Sequence, residues 1–214
     1  IFIYEYFGGE TIDKMSNNLN VIDFEIIRQQ LIKIINDLHS IKSDYFGDFS
    51  GKHYKSWEEY LRLKFFKHVQ NAQKIKLIST NDFKIINNSF EKNLEYYHSV
   101  KPSFLHFDIK PGNVLYNVSS KEIRLIDFEL CRFGDVRMEY SKFVSYSYYN
   151  RVDILYDKLF PSLTNIYLKH TDTSEFLIYH LYNLLAYYTT SFMKHNIQKN
   201  HLIKPIRDAI EKLK

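Results

Sequence analysis

Three side chains able to hold a proton or a cation stand close together in the middle of this chain: Asp108, Asn113 and Asp127. They lie in a stretch, Ser103 to Phe133, that reads SFLHFDIKPGNVLYNVSSKEIRLIDFELCRF. Two apolar runs, Asn113–Tyr116 and Ile123–Ile126, flank the polar break NVSSKE, which is the pattern of a β-hairpin. A polar loop from His106 to Gly112 leads into the first strand, with Pro111 and Gly112 restricting and turning it, and the second strand ends on Asp127. Carboxylates presented from rigid strand ends suit a magnesium-phosphate site, because magnesium takes one or two carboxylates plus phosphate oxygens and keeps several waters. Asp and Asn are also ordinary turn and cap residues. A zinc reading of His106 and Asp108 finds no second His or Cys cluster at ligand spacing.

The run HFDIKPGNVLY matches H-x-D-x-x-x-x-N, and the aspartate of LIDFE follows 14 residues after Asn113. Together, at this spacing, they resemble the catalytic core of the kinase-like small-molecule phosphotransferases, the family of aminoglycoside phosphotransferases and choline kinases. The resemblance implies roles. Asp108 would accept or orient the proton of an attacking hydroxyl, Asn113 and Asp127 would hold Mg2+ on nucleotide phosphates, and His106 would brace the loop. Lys110 would reach the transferring phosphate. Such a reaction rests on positioning and charge neutralisation more than on covalent chemistry. Upstream, Ile1–Phe7 reads as a strand ended by Gly8-Gly9. Within it YEYFGGETI resembles the family's hinge, which implies that the backbone of Glu5, Tyr6 and Phe7 meets the nucleotide base and that Tyr4 flanks the pocket. Protein kinases would carry Gly where Glu129 stands, and no A-P-E follows the hairpin.

The elements that must position these residues are mostly helical by pattern. Asn20 to His39 places Phe24, Ile27, Leu31, Ile34, Ile35 and Leu38 at helical spacing, with Asn20 or Asp23 as cap and His39 packing at its end. Ser56 followed by Glu59 fits a capping box. It opens a helix with Trp57 as a buried anchor and the basic residues of Lys64 to Lys76 on its exposed face. Asp82 to His98 reads as one helix, expected to run under the hairpin and carry it. Gly134-Asp135 resembles the family's link from the metal-binding loop to the next helix. Beyond it, Phe160-Pro161 breaks a helical region, Ser174 to Lys194 is a long apolar helix, and Leu202 to Leu213 is a short one.

The 214 residues are 45% hydrophobic and 25% charged, the balance of a globular protein, and the net charge of +4 asks for no polyanionic partner. The 18 Tyr and 17 Phe read as compositional bias and not as a base-stacking surface, so no nucleic acid is expected. A single cysteine, Cys131, excludes an intrachain disulfide. With no apolar run of spanning length and no signal peptide, no membrane is expected and a cytoplasmic location is.

The fold expected is α+β and predominantly α-helical: the large lobe of a protein-kinase-like phosphotransferase with a short catalytic β-hairpin. Residues 1–15 would hold the hinge and the end of a small lobe, and 16–214 the helical lobe. Residues 1–214 contain no V-A-I-K or Gly-rich nucleotide loop, so the small lobe, with its covering loop and strand lysine, is expected to lie outside this sequence. The implied activity moves the γ-phosphate of ATP or GTP to a hydroxyl of a small molecule, with an aminoglycoside-type antibiotic as first candidate. The alternatives are choline, a sugar or another metabolite as acceptor, and a non-catalytic pseudokinase or binding module. Asp153, Asp157, Asp172 and Glu175 are the acids that could meet a cationic acceptor.

Overall fold

The computed structural model describes residues 7–49, 51–149, 173–195 and 200–214. Tyr4, Glu5 and Tyr6 of the expected hinge, the Phe160-Pro161 break, and Asp153, Asp157 and Asp172 lie outside the described residues.

The chain opens with a two-residue strand, β1 (Glu10–Thr11), and a helical turn, α1 (Ile12–Met15). The first long helix, α2 (Val21–Ser40), starts where the sequence places its signals. The Asn20 side chain accepts the Asp23 N–H at 3.0 Å and the Asp23 carboxylate accepts the Asn20 N–H at 3.3 Å, so both candidate cap residues take part in one reciprocal box. Ile27, Leu31 and Ile35 form its buried stripe.

After β2 (Gly47–Asp48), α3 (Trp57–Lys74) begins with half of the expected capping box. Ser56 Oγ accepts the Glu59 N–H at 3.1 Å, but the Glu59 carboxylate reaches one residue further back, to the Lys55 N–H at 3.0 Å. Trp57 is fully buried, stacked on Tyr60 with ring centroids 4.7 Å apart, and donates from Nε1 to the Tyr179 hydroxyl at 2.7 Å. It is a packing anchor.

The expected helix over Asp82 to His98 is two, α4 (Thr80–Lys92) and α5 (Leu94–Ser99), divided at Asn93. The Asn93 side chain donates to the Ser89 carbonyl and to Ser174 Oγ, both at 2.8 Å, a local alternative to continuing the helix. Nor does this pair carry the hairpin, for α4 packs on the other helices of the lobe.

The strands form two three-stranded antiparallel sheets. One is ordered β1, β4 (Val114–Asn117), β5 (Glu122–Leu125); the other is β2, β6 (Arg132–Gly134), β3 (Ser103–Leu105). The hairpin β4–β5 pairs Val114 with Leu125 and Tyr116 with Ile123. It sits on α2. Gln30 donates to the Lys121 carbonyl at 2.6 Å and accepts the Ile123 N–H at 3.3 Å. Asp23 accepts from the Tyr116 hydroxyl at 2.6 Å and from Lys121 at 2.9 Å.

The remaining helices are α6 (Val136–Tyr149), α7 (Ser174–His195) and α8 (Ile203–Glu211). Helix α7 is the centre of the lobe, buried from Phe176 to Leu185 and packed against α3, α4, α6 and α8. Gly134 explains why β6 can cross so close to α3. A Cβ there would lie 2.8 Å from Trp57 Cη2 and 3.0 Å from Leu105 Cδ1. Asp135, buried, then accepts the Arg137 N–H at 2.9 Å and the hydroxyls of Tyr179, at 2.7 Å, and Tyr96. It fixes the start of α6 to α5 and α7. Burial raises its carboxyl pKa despite those donors.

Candidate active site

The site begins at the open end of the hairpin. The Ile126 N–H donates to the Asn113 carbonyl at 3.0 Å, one bond beyond the β4–β5 ladder, and this holds Asn113 beside Asp127. A 3₁₀ turn at Pro111–Asn113, closed by Asn113 N–H to the Lys110 carbonyl at 2.8 Å, brings the side chain back toward Asp108. Asn113 Nδ2 then donates to the Asp108 carbonyl at 2.8 Å, to Asp108 Oδ2 at 2.9 Å and to Asp127 Oδ2 at 3.4 Å. Asp108, Asn113 and Asp127, separated in sequence, are one cluster.

The amide nitrogen of Asn113 is committed to the Asp108 carbonyl and to the carboxylates of Asp108 and Asp127, which leaves its oxygen as the group it could offer a cation. Asp127 is exposed, in a left-handed backbone conformation with φ 66°. An amide oxygen beside an exposed carboxylate is an all-oxygen donor set with space for waters and phosphate oxygens, and it fits magnesium.

Asp108 is buried, with its two oxygens divided between neighbours. Oδ2 accepts from Lys110 Nζ at 2.7 Å; Oδ1 accepts from the Tyr146 hydroxyl and lies 3.6 Å from Lys142 Nζ. Burial works to raise its pKa, and the hydrogen bonds of Lys110 and Tyr146 with the charge of Lys142 outweigh it, so the carboxyl is held below its ordinary value. His106 hydrogen-bonds to backbone through both ring nitrogens. Its Nε2 faces the Ile126 carbonyl at 3.1 Å and so carries the proton, and its Nδ1 accepts the Asp108 N–H at 3.3 Å. Burial lowers its pKa despite the nearby acids, which keeps the ring neutral.

Helix α6 supplies what the sequence reading missed. Phe107 has φ 63°, rare for a bulky residue and costing about 1–3 kcal/mol, so something must hold it. Two side chains of α6 do. Glu139 Oε1 accepts the Phe107 N–H at 2.5 Å, and Lys142 Nζ donates to the Phe107 carbonyl. Glu139 Oε2 also meets His39 Nε2 at 2.6 Å, and His39 Nδ1 meets the Tyr140 hydroxyl at 3.0 Å. His39 therefore packs at its helix end and also ties α2 to α6. Glu139, Lys142 and Tyr146 recur at helical spacing, the signal by which they could have been found.

A cavity of about 520 Å3 opens beside Asp108. Lys110, Arg132, Lys142, Tyr182 and Tyr187 are among the residues on its wall. Glu175 is not, and instead pairs with Arg137. Of the expected hinge, Phe7 alone is described; the Arg124 guanidinium lies over its ring at 5.2 Å. Among the described residues no helix is long and apolar enough to cross a membrane.

A helical lobe around one buried helix, bearing a hairpin with Asp108, Asn113 and Asp127 at its open end, defines the kinase-like phosphotransferase fold. The protein kinase domain family model matches residues 32–167, and the chain belongs to that family. A probable casein kinase II subunit alpha homolog of Encephalitozoon cuniculi (strain GB-M1) is 29% identical over 97 residues, 45% of this chain. The chain spans 30% of that relative's length. Among solved structures, a thermostable mutant of aminoglycoside phosphotransferase APH(4)-Ia, in ternary complex with AMP-PNP and hygromycin B, superposes with TM-score 0.68 at 13% identity. That match covers 95% of this chain and 69% of the other. A putative fructosamine-3-kinase from Thermobifida fusca superposes with TM-score 0.61 at 12% identity, over 98% and 68%. The GDP complex of aminoglycoside 2'-phosphotransferase-IIIa gives 0.55 at 14%, over 98% and 69%. These likenesses are of fold.

Proposed function

We propose that the full-length protein moves the γ-phosphate of ATP or GTP to a hydroxyl of a small molecule. The observation that carries this reading is the joining of Asp108, Asn113 and Asp127 through one amide, with a cavity of about 520 Å3 on the Asp108 side. That volume is within the range of small-molecule sites, roughly 300–1,000 Å3. Neighbours solved with AMP-PNP, hygromycin B or GDP support a nucleotide and a small acceptor.

Asp108 orients the acceptor hydroxyl and takes up its proton as the hydroxyl oxygen bonds to the γ-phosphorus and the bond to the β-phosphate oxygen breaks. Its low pKa keeps it ionised for that task. Lys110, paired with Asp108, lies where it can neutralise charge on the transferring group. Asn113 and Asp127 would hold Mg2+, which would neutralise the nucleotide phosphates. His106 and Glu139 position the loop. The base edge of the nucleotide is assigned to Glu5, Tyr6 and Phe7, flanked by Tyr4, on the hinge resemblance. The test pairs two substitutions. Asp108→Asn should lower turnover by roughly two to four orders of magnitude and spare nucleotide binding. Asp127→Asn should weaken magnesium-dependent nucleotide binding more than Asp108→Asn does. Identical magnesium titrations for the two variants would contradict the assignment.

A further inference from the structure

The cavity beside Asp108 carries more positive charge than the proposed reaction uses. Its described wall presents three cationic side chains, Lys110, Arg132 and Lys142, against one carboxylate, Asp108. Lys110 is paired with that carboxylate. Arg132 enters from β6 with its guanidinium over the Phe107 ring at 4.0 Å. Its hydrogen bonds go to neutral groups, the Leu130 carbonyl at 3.1 Å and the Tyr60 hydroxyl. Among the described residues no carboxylate lies within ion-pair distance of it; the nearest counter-charge is that of Asp48, opposite it in the β2–β6 pairing and 3.7 Å from Lys64. Burial works to lower the Arg132 pKa, and the neighbouring tyrosines with Asp48 outweigh it and raise it. Lys142 is half-buried as well, its side chain 12% exposed and 3.6 Å from Asp108. The wall's remaining basic group, His68, is kept neutral by burial, its pKa lowered to about 4.

A half-buried guanidinium with no carboxylate in ion-pair contact gains from an anion that arrives beside it. The planar fork also matches a carboxylate or phosphate with two parallel hydrogen bonds. Given the phosphotransferase reading above, we infer that the acceptor is a hydroxyl-bearing organic anion, whose carboxylate or phosphate seats on Arg132 and Lys142 while its hydroxyl meets Asp108. A polycationic acceptor would meet like charge on the same wall.

The experiment uses the full-length protein and matched hydroxyl compounds that differ in charge: glucose, glucuronate, glucose 6-phosphate and glucosamine; glycerol, glycerate and glycerol phosphate; and kanamycin. Ligand-observed NMR reads binding, and nucleotide-dependent phosphate transfer reads turnover. In at least one set an acid should bind tenfold or more tighter than its neutral alcohol, and the amines should bind weakest. The carboxylate and phosphate members separate the two anions. Arg132→Gln and Lys142→Met should each collapse the acid-to-alcohol ratio, and Lys142→Arg should keep it. A loosened loop would weaken acid and alcohol together and leave the ratio unchanged. Equal affinity for acid and alcohol, preference for kanamycin or an amine, failure of every acid to bind, or an acid preference that survives both substitutions overturns the inference. A preserved acid preference in a protein that neither binds nucleotide with magnesium nor transfers phosphate would instead sink the phosphotransferase reading alone.

Discussion

Glu139 is the side chain on which the site's geometry most depends, though it touches neither proposed substrate. It is buried and accepts from two donors, the Phe107 N–H and His39 Nε2. Glu139→Ala would strand both. Each buried donor left without a partner costs about 1–3 kcal/mol, so with two of them the variant should lose roughly 2–6 kcal/mol of stability. That is a large share of the ~5–15 kcal/mol typical of a domain. Glu139→Gln should cost far less, about 1 kcal/mol, for a reason specific to this site. The amide oxygen can keep the Phe107 N–H. His39 can shift its proton to Nδ1, toward the Tyr140 hydroxyl 3.0 Å away, and accept from the new amide at Nε2. Urea unfolding followed by Trp57 fluorescence measures both losses, with an unchanged slope required for the comparison. Activity should follow the same order. The Glu139–Phe107 bond holds a left-handed residue directly before Asp108, and misplacing a reacting group by about 1 Å costs on the order of a hundredfold in rate. If Glu139→Ala stays within about 1 kcal/mol of the parent, or if Gln proves as harmful as Ala, the brace does not work as described.

Other consequences can be measured independently. His180 is buried and His68 half-buried, and loss of water around the rings lowers both to about 4 from an ordinary 6.5. The folded state therefore binds fewer protons than the unfolded chain between those values. Stability is complete above pH 6.5 and falls toward pH 4, by at most roughly 3 kcal/mol per histidine. His180→Gln should flatten that acid slope, and an identical slope would show that His180 is not the group titrating. Gly134→Ala should cost at least ~2 kcal/mol, since the new methyl would meet Trp57 at 2.8 Å; a neutral result in thermal unfolding would mean that the strand can move away. Lys142 faces Asp108, Arg132, Glu139, Phe107 and Tyr146, and burial is the main reason its pKa falls to about 8. It is charged below that pH and neutral above it, so KM for an anionic acceptor should climb above pH 8, and Lys142→Arg should abolish the climb. A flat KM between pH 7 and 9 in the parent would exclude this role.

The hairpin, its flanking acids and most helices were legible because each depends on near neighbours in sequence. Strand alternation, the Asn20 cap and the run HFDIKPGN are local signals. Errors arose where tertiary contacts decide. Asn93 looks like a mid-helix residue until Ser174 offers it a partner 81 positions away, and then the helix divides. Glu59 reads as a capping-box residue, yet its carboxylate prefers the N–H of Lys55. The helix that carries the hairpin was misassigned for the same reason: Gln30 and Asp23 look like exposed polar positions until strand β5 and the Tyr116 hydroxyl are brought against them.

The acceptor cavity shows the limit most clearly, because its charge belongs to no single segment. Arg132 comes from a strand, Lys142 from a helix and Asp108 from a loop, and in sequence each reads as an ordinary charged residue. Their meaning changes only when burial removes the water between them. In a net charge of +4 such a cluster is invisible. Of the acids that could meet a cationic acceptor, Glu175 is engaged by Arg137, away from the cavity wall. On the proposed reading, selectivity is set by the residues that the elements around Asp108 present to the cavity: the motif carries the transfer chemistry and the wall carries the preference for an acceptor's charge.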